Sequence, residues 1–274
     1  MIKDLRTRLS LGSVLVVVLI GLFLLDQHVI PGIGMLVLGL LALAAQAEFY
    51  GMLHASGRPN HKWYGLLFGA LTLANAWWEF LPSGYLLVGL ILLLLVLEIL
   101  GRKPEGAPDR IGNTLLGWLV VPLLLSSIMA LRKFDLDGWD WILFLVVVCK
   151  LGDSSAYLVG SAIGKHKLIP EVSPNKSWEG AVASMVGSIL GAAIVAYFAF
   201  GGRLPLSIWL GAAIVTNIGA QFGDLAESLL KRGCATKDSS TVLPAFGGSF
   251  DMVDSFLIAT PALHGFLLAM SYSS

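Results

Sequence analysis

Long apolar runs separated by short polar connections constrain this chain more than any other feature of its sequence. Nine segments are long enough, or nearly so, to cross roughly 30 Å of hydrocarbon. They are 11–26, 32–53, 63–81, 84–100, 112–131, 140–160, 178–200, 206–230 and 252–272. Only 13% of the residues are charged, about half the fraction usual in soluble domains. Because backbone groups in lipid must bond to one another, the sequence predicts an all-α, polytopic membrane helix bundle with about nine transmembrane helices.

The distribution of basic residues predicts how the bundle lies in the membrane. The first apolar run follows three basic residues and lacks a small-residue cleavage site, so we interpret it as a span and not as a signal peptide. With the N-terminus in the cytoplasm, 14 of the 18 lysines and arginines fall on the cytoplasmic side, as the positive-inside rule requires. We expect one integral membrane domain over 1–274, with N-terminal spans in 1–132 and the functional spans in 133–274.

Net charge and cysteine content argue against a nucleic-acid-binding protein, a cysteine metal site and a disulfide framework. The formal net charge is zero, so no general attraction to nucleic acid is expected. Cys149 and Cys234 are far apart in sequence and show neither metal-ligand spacing nor a disulfide pattern.

Charged residues at helical spacing interrupt the apolar pattern between Gly219 and Ser255. Asp224, Glu227 and Lys231 recur at i, i+3 and i+7, which places them on one helix face. Asp251 and Asp254 repeat the three-residue spacing where the last apolar segment begins. Carboxylates alone would suggest a cation site, whereas carboxylates beside lysines suggest a divalent metal together with a polyphosphate.

Two upstream segments add candidates for the same polar cavity. In SPNKSWEG we expect Ser173 to belong to a turn and Lys176 to project from a turn before a helix N-terminus, where phosphate is favoured. In the sixth span, Asp153 either pairs with Lys150 three residues earlier or faces the cavity that Asp224 faces.

For Glu48, in the second span, we favour a structural hydrogen-bonding role.

These segments, taken in order, resemble the signature of the phosphatidate cytidylyltransferase family, also called CDP-diglyceride synthases. The first half of the signature is matched by Ser228, Lys231, Arg232, Lys237 and Asp238, and the second by Pro244, Gly247, Gly248, Asp251 and Asp254. The stretches GDLAES, SPNKSWEG and GDSSAYLVG also look like family segments. The chain departs from the pattern at Phe246, where the family has His, at Met252, where it has Arg, and at Ser154-Ser155, where it has Thr-Gly.

The resemblance implies the reaction of CTP with phosphatidic acid to give CDP-diacylglycerol and pyrophosphate, in a bacterial inner membrane, with Mg²⁺ as one or two ions. It implies metal binding by Asp224, Asp251 and Asp254, and catalytic roles for these and for Lys231. The implied phosphate-binding residues are Lys176, Ser228, Arg232, Lys237, Gly247 and Gly248. The further polar-cavity candidates are Asp153, Ser173, Glu179, Glu227 and Asp238. A homodimer is an allowed assembly.

Three other functions stay open at this stage. Carboxylates within spans also mark ion transporters and channels, although here the charges cluster at one face and no paired repeats are visible. A CTP-dependent polyprenol or phytol kinase would transfer a phosphoryl group in place of a cytidylyl group. An inactive relative kept as a membrane scaffold would be consistent with Phe246 and Met252.

Overall fold

The described part of the chain is almost entirely helical. The computed structural model describes Gly21, Asp26, residues 32–132, 138–236, Ser239 and residues 248–271. Its helices are α1 (Ile33–Ala55), α2 (Lys62–Trp78), α3 (Ser83–Gly101), α4 (Ala107–Leu131), α5 (Gly138–Ile163), α6 (Trp178–Phe198), α7 (Leu206–Gly233) and α8 (Ser249–Ser271). A hairpin of strands β1 (Lys167–Ile169) and β2 (Ser173–Ser177) joins α5 to α6.

The predicted membrane bundle is confirmed, but the count of nine spans is not. Seven of the described helices, α1 and α3 to α8, are long and apolar enough to cross a membrane. The predicted span 11–26 lies almost wholly outside the described residues. The segment predicted over 63–81 forms α2, which has 17 residues and therefore rises only about 25 Å.

Proline and a serine cap set several helix boundaries. Pro82 and Pro205 immediately precede α3 and α7, where a missing N–H costs nothing. Ser177 caps α6 by accepting a hydrogen bond from the Gly180 N–H at 3.2 Å. Pro122 lies inside α4, and a π-helical turn over Leu119–Leu123 accommodates it.

Consecutive helices alternate in direction, so one end of the bundle collects the motif residues. We call it the motif end: α1, α3, α5 and α7 finish there, and α2, α4, α6 and α8 begin there. Contacts between elements hold it together. Glu98 of α3 accepts two hydrogen bonds from Arg110 of α4, at 2.6 and 2.8 Å. Arg58, after α1, donates to the Gly233 carbonyl at the end of α7 at 2.6 Å.

Helix α6 shows how the sequence divides protein contacts from lipid contacts. Its buried side is a run of small residues: Gly180, Ser184, Gly187, Ser188 and Gly191. Small residues let helix backbones approach closely inside a membrane, and α6 packs along α5. On the other side, Val182, Val186, Leu190 and Ile194 recur every four residues and are exposed, as expected of a lipid-facing stripe.

The β-hairpin corrects the prediction for SPNKSWEG. Ser173 and Lys176 belong to strand β2 and not to a turn; Lys167 pairs with Ser177 and Ile169 with Ser173 across an antiparallel ladder. The Trp178 N–H donates to the His166 carbonyl at 2.9 Å. The hairpin is thus tied to the start of α6, and strands this short leave almost no alternation in the sequence by which to recognise them.

Candidate active site

Three carboxylates from two helices converge at the motif end. Asp224 and Glu227 of α7 and Asp254 of α8 each offer an oxygen, and these oxygens lie within 4.8 Å of one another. Glu227 is buried, and the other two are half-buried. Oxygen ligands bind Mg²⁺ or Ca²⁺ at about 2.0–2.6 Å, so the group is compact enough to surround one such ion.

A glycine seam between α7 and α8 allows this convergence. A Cβ on Gly219 would lie 2.7 Å from the Ala259 Cα, and a Cβ on Gly223 would collide with the Asp254 carbonyl oxygen. Both glycines therefore permit a backbone approach that any larger residue would prevent. Gly223 directly precedes Asp224, so the closest approach lies beside the carboxylates.

Asp251 lies beside the three clustered carboxylates and shares a side-chain hydrogen bond with Glu227. Its Oδ1 lies 2.6 Å from Lys231 Nζ. Its Oδ2 accepts hydrogen bonds from the Gly248 N–H at 2.7 Å and from the Ser239 hydroxyl at 2.8 Å. Asp251 is the third residue of α8, and its side chain accepts from the N–H of Gly248, the residue before the helix. This is one of the two hydrogen bonds of a capping box. Glu227 forms the most compact group with Asp224 and Asp254, and metal binding by Asp251 stays a prediction.

Lys231 connects the two sets of carboxylates. It lies one turn after Glu227 on α7 and contacts both Glu227 Oε1 and Asp251 Oδ1. Its side chain is 15% exposed, and that of Asp251 is 13% exposed. In such surroundings the ammonium offsets the repulsion between two carboxylates that water screens poorly.

Helix α5 and the hairpin contribute charged side chains that contact α7 and α8. Asp153 accepts a hydrogen bond from the Ser255 hydroxyl at 3.1 Å and lies 3.4 Å from Lys150 Nζ. Lys176 of β2 lies 2.9 Å from Asp224 Oδ2. Asp153 thus pairs with Lys150 and also contacts Ser255, the neighbour of Asp254; that it faces the cavity of Asp224 stays a prediction.

A buried amide network continues the polar stripe of α7 from the carboxylates toward the middle of the helix. Asn217 donates to the hydroxyls of Ser184 and Ser188 at 2.8 Å each, and its oxygen accepts from Gln221 at 2.6 Å. Ser188 in turn donates to the Val148 carbonyl of α5. Every polar group in this chain of contacts has a partner, which is the condition for burying it in hydrocarbon.

Comparison with known proteins agrees with this arrangement. The sequence profile of the cytidylyltransferase family matches residues 6–270. The chain belongs to the cytidylyltransferase family. It is 34% identical over 217 residues to a protein named phosphatidate cytidylyltransferase in Bacillus subtilis (strain 168), covering 74% of this chain and 78% of that protein.

Two staphylococcal proteins with the same name match a shorter region. Identity is 39% over 136 residues with Staphylococcus haemolyticus (strain JCSC1435), covering 49% of this chain and 51% of the relative. With Staphylococcus epidermidis (strain ATCC 35984) it is 40% over 134 residues, covering 48% and 50%. These two matches span about half of each relative.

Of the other predicted site residues of this cytidylyltransferase-family chain, those that the structure describes lie outside the cluster of three carboxylates. Arg232 is exposed, and Ser228 is half-buried on α7. Glu179 accepts from the His166 N–H and lies 2.7 Å from its Nδ1, so within the described residues it holds the hairpin. Gly248 is buried and donates to Asp251. Lys237, Asp238 and Gly247 lie outside the described residues.

Sequence reasoning assigned Glu48 only a structural role, and the structure brings it to the edge of the site. Its Oε2 accepts from the Phe250 N–H at 3.0 Å and from the Ser239 hydroxyl at 3.1 Å. Glu48 thus touches the first turn of α8 from a helix 202 residues earlier in the chain. A lone carboxylate in an apolar span was the available signal, but it gives no indication of the partner.

Proposed function

We propose that this chain transfers the cytidylyl group of CTP to phosphatidic acid and releases pyrophosphate. A lipid phosphate oxygen attacks the α-phosphorus of CTP, and the bond from that phosphorus to the oxygen bridging it to the β-phosphorus breaks. The observation that carries the proposal is the convergence of acidic and lysine side chains at one end of a membrane bundle that belongs to this family.

The donor set fits a divalent metal, and we assign Mg²⁺ to it. Hard carboxylate oxygens from Asp224, Glu227 and Asp254 would hold the ion, with the nearby Asp251 and Asp153 able to take part in a second site. When bound, such an ion supplies positive charge to the phosphate oxygens of CTP.

The lysines position the reacting anions. Phosphoryl and nucleotidyl transfer need little covalent help from the protein, so orientation and charge neutralisation dominate. Lys176 and Lys231 already lie on carboxylates of the site, and each ammonium has three donors with which to bind a phosphate oxygen as well. Lys231 contacts both Glu227 and Asp251, which favours a position for it beside the α-phosphate.

The membrane setting follows from the same placement. We propose the inner membrane of a bacterium, with the motif end in the cytoplasm, where CTP is available. Phosphatidic acid would enter laterally between helices, whereas pyrophosphate would leave to water.

The test is a transfer assay on the purified full chain in detergent with phosphatidic acid, Mg²⁺ and CTP labelled at either the α- or the γ-phosphate. We expect lipid labelled only from the α position. Label from the γ position would instead identify a lipid kinase, and no transfer from either would favour an inactive relative or a transporter. Asp254→Asn should lower the rate by at least about 100-fold, as expected of a group that binds the charge-bearing ion.

A further inference from the structure

A cavity of about 640 Å³ lies at the motif end beside the carboxylate cluster. It is formed by the last turns of α1, the start of α2 and the chain that follows α7. The lining residues are Ala47, Glu48, Gly51, Met52, Ala55, Ser56, Lys62, Cys234, Ala235, Thr236 and Ser239. Its volume is typical of a small-molecule site.

The cavity shares a wall with the candidate active site. Ser239 lines it, and the Ser239 hydroxyl also reaches Asp251 Oδ2 at 2.8 Å. Asp251 contacts Lys231, and Lys231 contacts Glu227, one of the three clustered carboxylates. A molecule whose phosphates lie on Lys231 could therefore place its other end in the cavity without crossing the bundle.

The walls of the cavity suit a flat polar ring. Ala47, Gly51 and Ala55 recur every four residues along α1 and leave one wall without bulky side chains. Met52 adds an apolar contact, and polar groups come from Lys62 and from hydroxyls such as that of Thr236.

Glu48 gives the cavity a carboxylate acceptor. Its Oε2 is used by the Phe250 N–H and the Ser239 hydroxyl. Among the described residues its Oε1 accepts no hydrogen bond. A carboxylate is the usual acceptor for the exocyclic amino group of cytosine, whereas it repels the carbonyl oxygen that uracil has at that position.

We propose that this cavity binds the nucleoside of CTP, with the cytosine amino group donating to the Glu48 carboxylate. The inference rests on the proposed cytidylyl transfer and assigns a place to the part of the nucleotide that does not react. The competing occupant is the glycerol end of phosphatidic acid, and the experiments below distinguish the two.

Gly51→Leu fills the cavity with little risk to the fold. A Cβ at Gly51 would meet nothing within 4 Å, and leucine favours a helix more than glycine does. We expect the KM for CTP to rise about 10-fold or more while the KM for phosphatidic acid changes less than about twofold. The matched control is Gly112→Leu, at another exposed helical glycine with nothing within 4 Å, and it should leave both constants unchanged.

Two outcomes of that experiment would overturn the proposal. An unchanged KM for CTP in Gly51→Leu would show that no nucleoside lies there, and a rise confined to phosphatidic acid would assign the cavity to the lipid. Both are read against a wild-type chain that transfers label from the α position, so a failure of the proposed function itself is seen separately.

Glu48→Gln tests the assigned hydrogen bond. Glutamine keeps an acceptor for Phe250 and Ser239 but adds an N–H₂ donor that suits uracil. We expect the ratio of kcat/KM for CTP to that for UTP to fall about 10-fold or more, with UTP use increasing. If CTP and UTP use fall by the same factor, Glu48 does not read the base, and the assignment of the amino group is wrong.

Discussion

At the scale of single residues, Lys231 is the cation that balances the negative charge of two carboxylates of the site. It faces Glu227 on its own helix and Asp251 on the next. We predict that Lys231→Met lowers cytidylyl transfer by at least about 100-fold, because a phosphate-binding cation is lost. Loss of one partner of a largely buried ion pair should also reduce the free energy of unfolding by roughly 3 kcal/mol, which thermal denaturation in detergent can measure.

The double variant Glu227→Gln/Lys231→Met tests the stability effect alone, because Glu227 is also assigned to the metal and its loss lowers activity in any case. Neutralising Glu227 removes one of the two carboxylates that Lys231→Met leaves uncompensated. The melting temperature should therefore recover most of the loss while transfer activity stays low. A double variant whose melting temperature stays as low as that of Lys231→Met would show that the uncompensated carboxylates are not the cause of the lost stability.

Residue spacing predicted part of the candidate site and could not predict the rest. The spacing of Asp224, Glu227 and Lys231 on one helix face is a local property, and the structure shows that arrangement. Whether Asp251 or Glu227 stands beside Asp254 depends on how far α8 is shifted along α7, and no local pattern encodes that shift. The contact of Glu48 with Phe250 joins positions 202 residues apart, so the lone carboxylate was visible in the sequence but its partner was not.

At the scale of elements, the α7–α8 seam should control how well the site holds its ion. We predict that Gly223→Ala raises the Mg²⁺ concentration needed for half-maximal activity by about 10-fold or more, because the added methyl group would push Asp254 away from Asp224. A Mg²⁺ titration of the transfer rate measures this. Gly265→Ala, on α8 where nothing lies within 4 Å, is the control and should titrate like the wild type.

We predict that the hairpin contributes to CTP binding through Lys176. Lys176→Ala removes the ammonium that lies 2.9 Å from Asp224, and we predict a rise of about 10-fold in the KM for CTP because a phosphate contact is lost. Lys167→Ala, at an exposed position on the paired strand, tests whether any positive charge on the hairpin would do. Equal effects of the two substitutions would reduce the role of Lys176 to general attraction of anions.

Helices were more predictable than the hairpin for a physical reason. A span needs about 20 apolar residues, which leaves a long signal, although its ends depend on local features such as the Ser177 cap. Strands of three and five residues carry too little alternation to be recognised, and SPNKS contains a proline that suggests a turn.

At the scale of the whole molecule, the direction of insertion is the property to measure. We predict that a cysteine at Glu171, in the hairpin connection, is protected from a membrane-impermeant thiol reagent added to intact spheroplasts, whereas a cysteine at Phe80, between α2 and α3, is labelled. The natural Cys149 and Cys234 are buried and would be replaced by alanine. The opposite labelling pattern would place the motif end outside and contradict access to cytoplasmic CTP.

The amide network below the carboxylates has an electrical consequence for the cell. A water-filled recess that reaches into an energised membrane shortens the path along which protons could cross it. We expect Asn217, Ser184 and Ser188 to close such a path, because their side chains already bond to one another and the wholly buried Ala213 lies one turn farther along α7. We therefore expect the residues that join α5, α6 and α7 to act also as a barrier to protons, so that a charged reaction at one face of a membrane would leave the membrane potential intact.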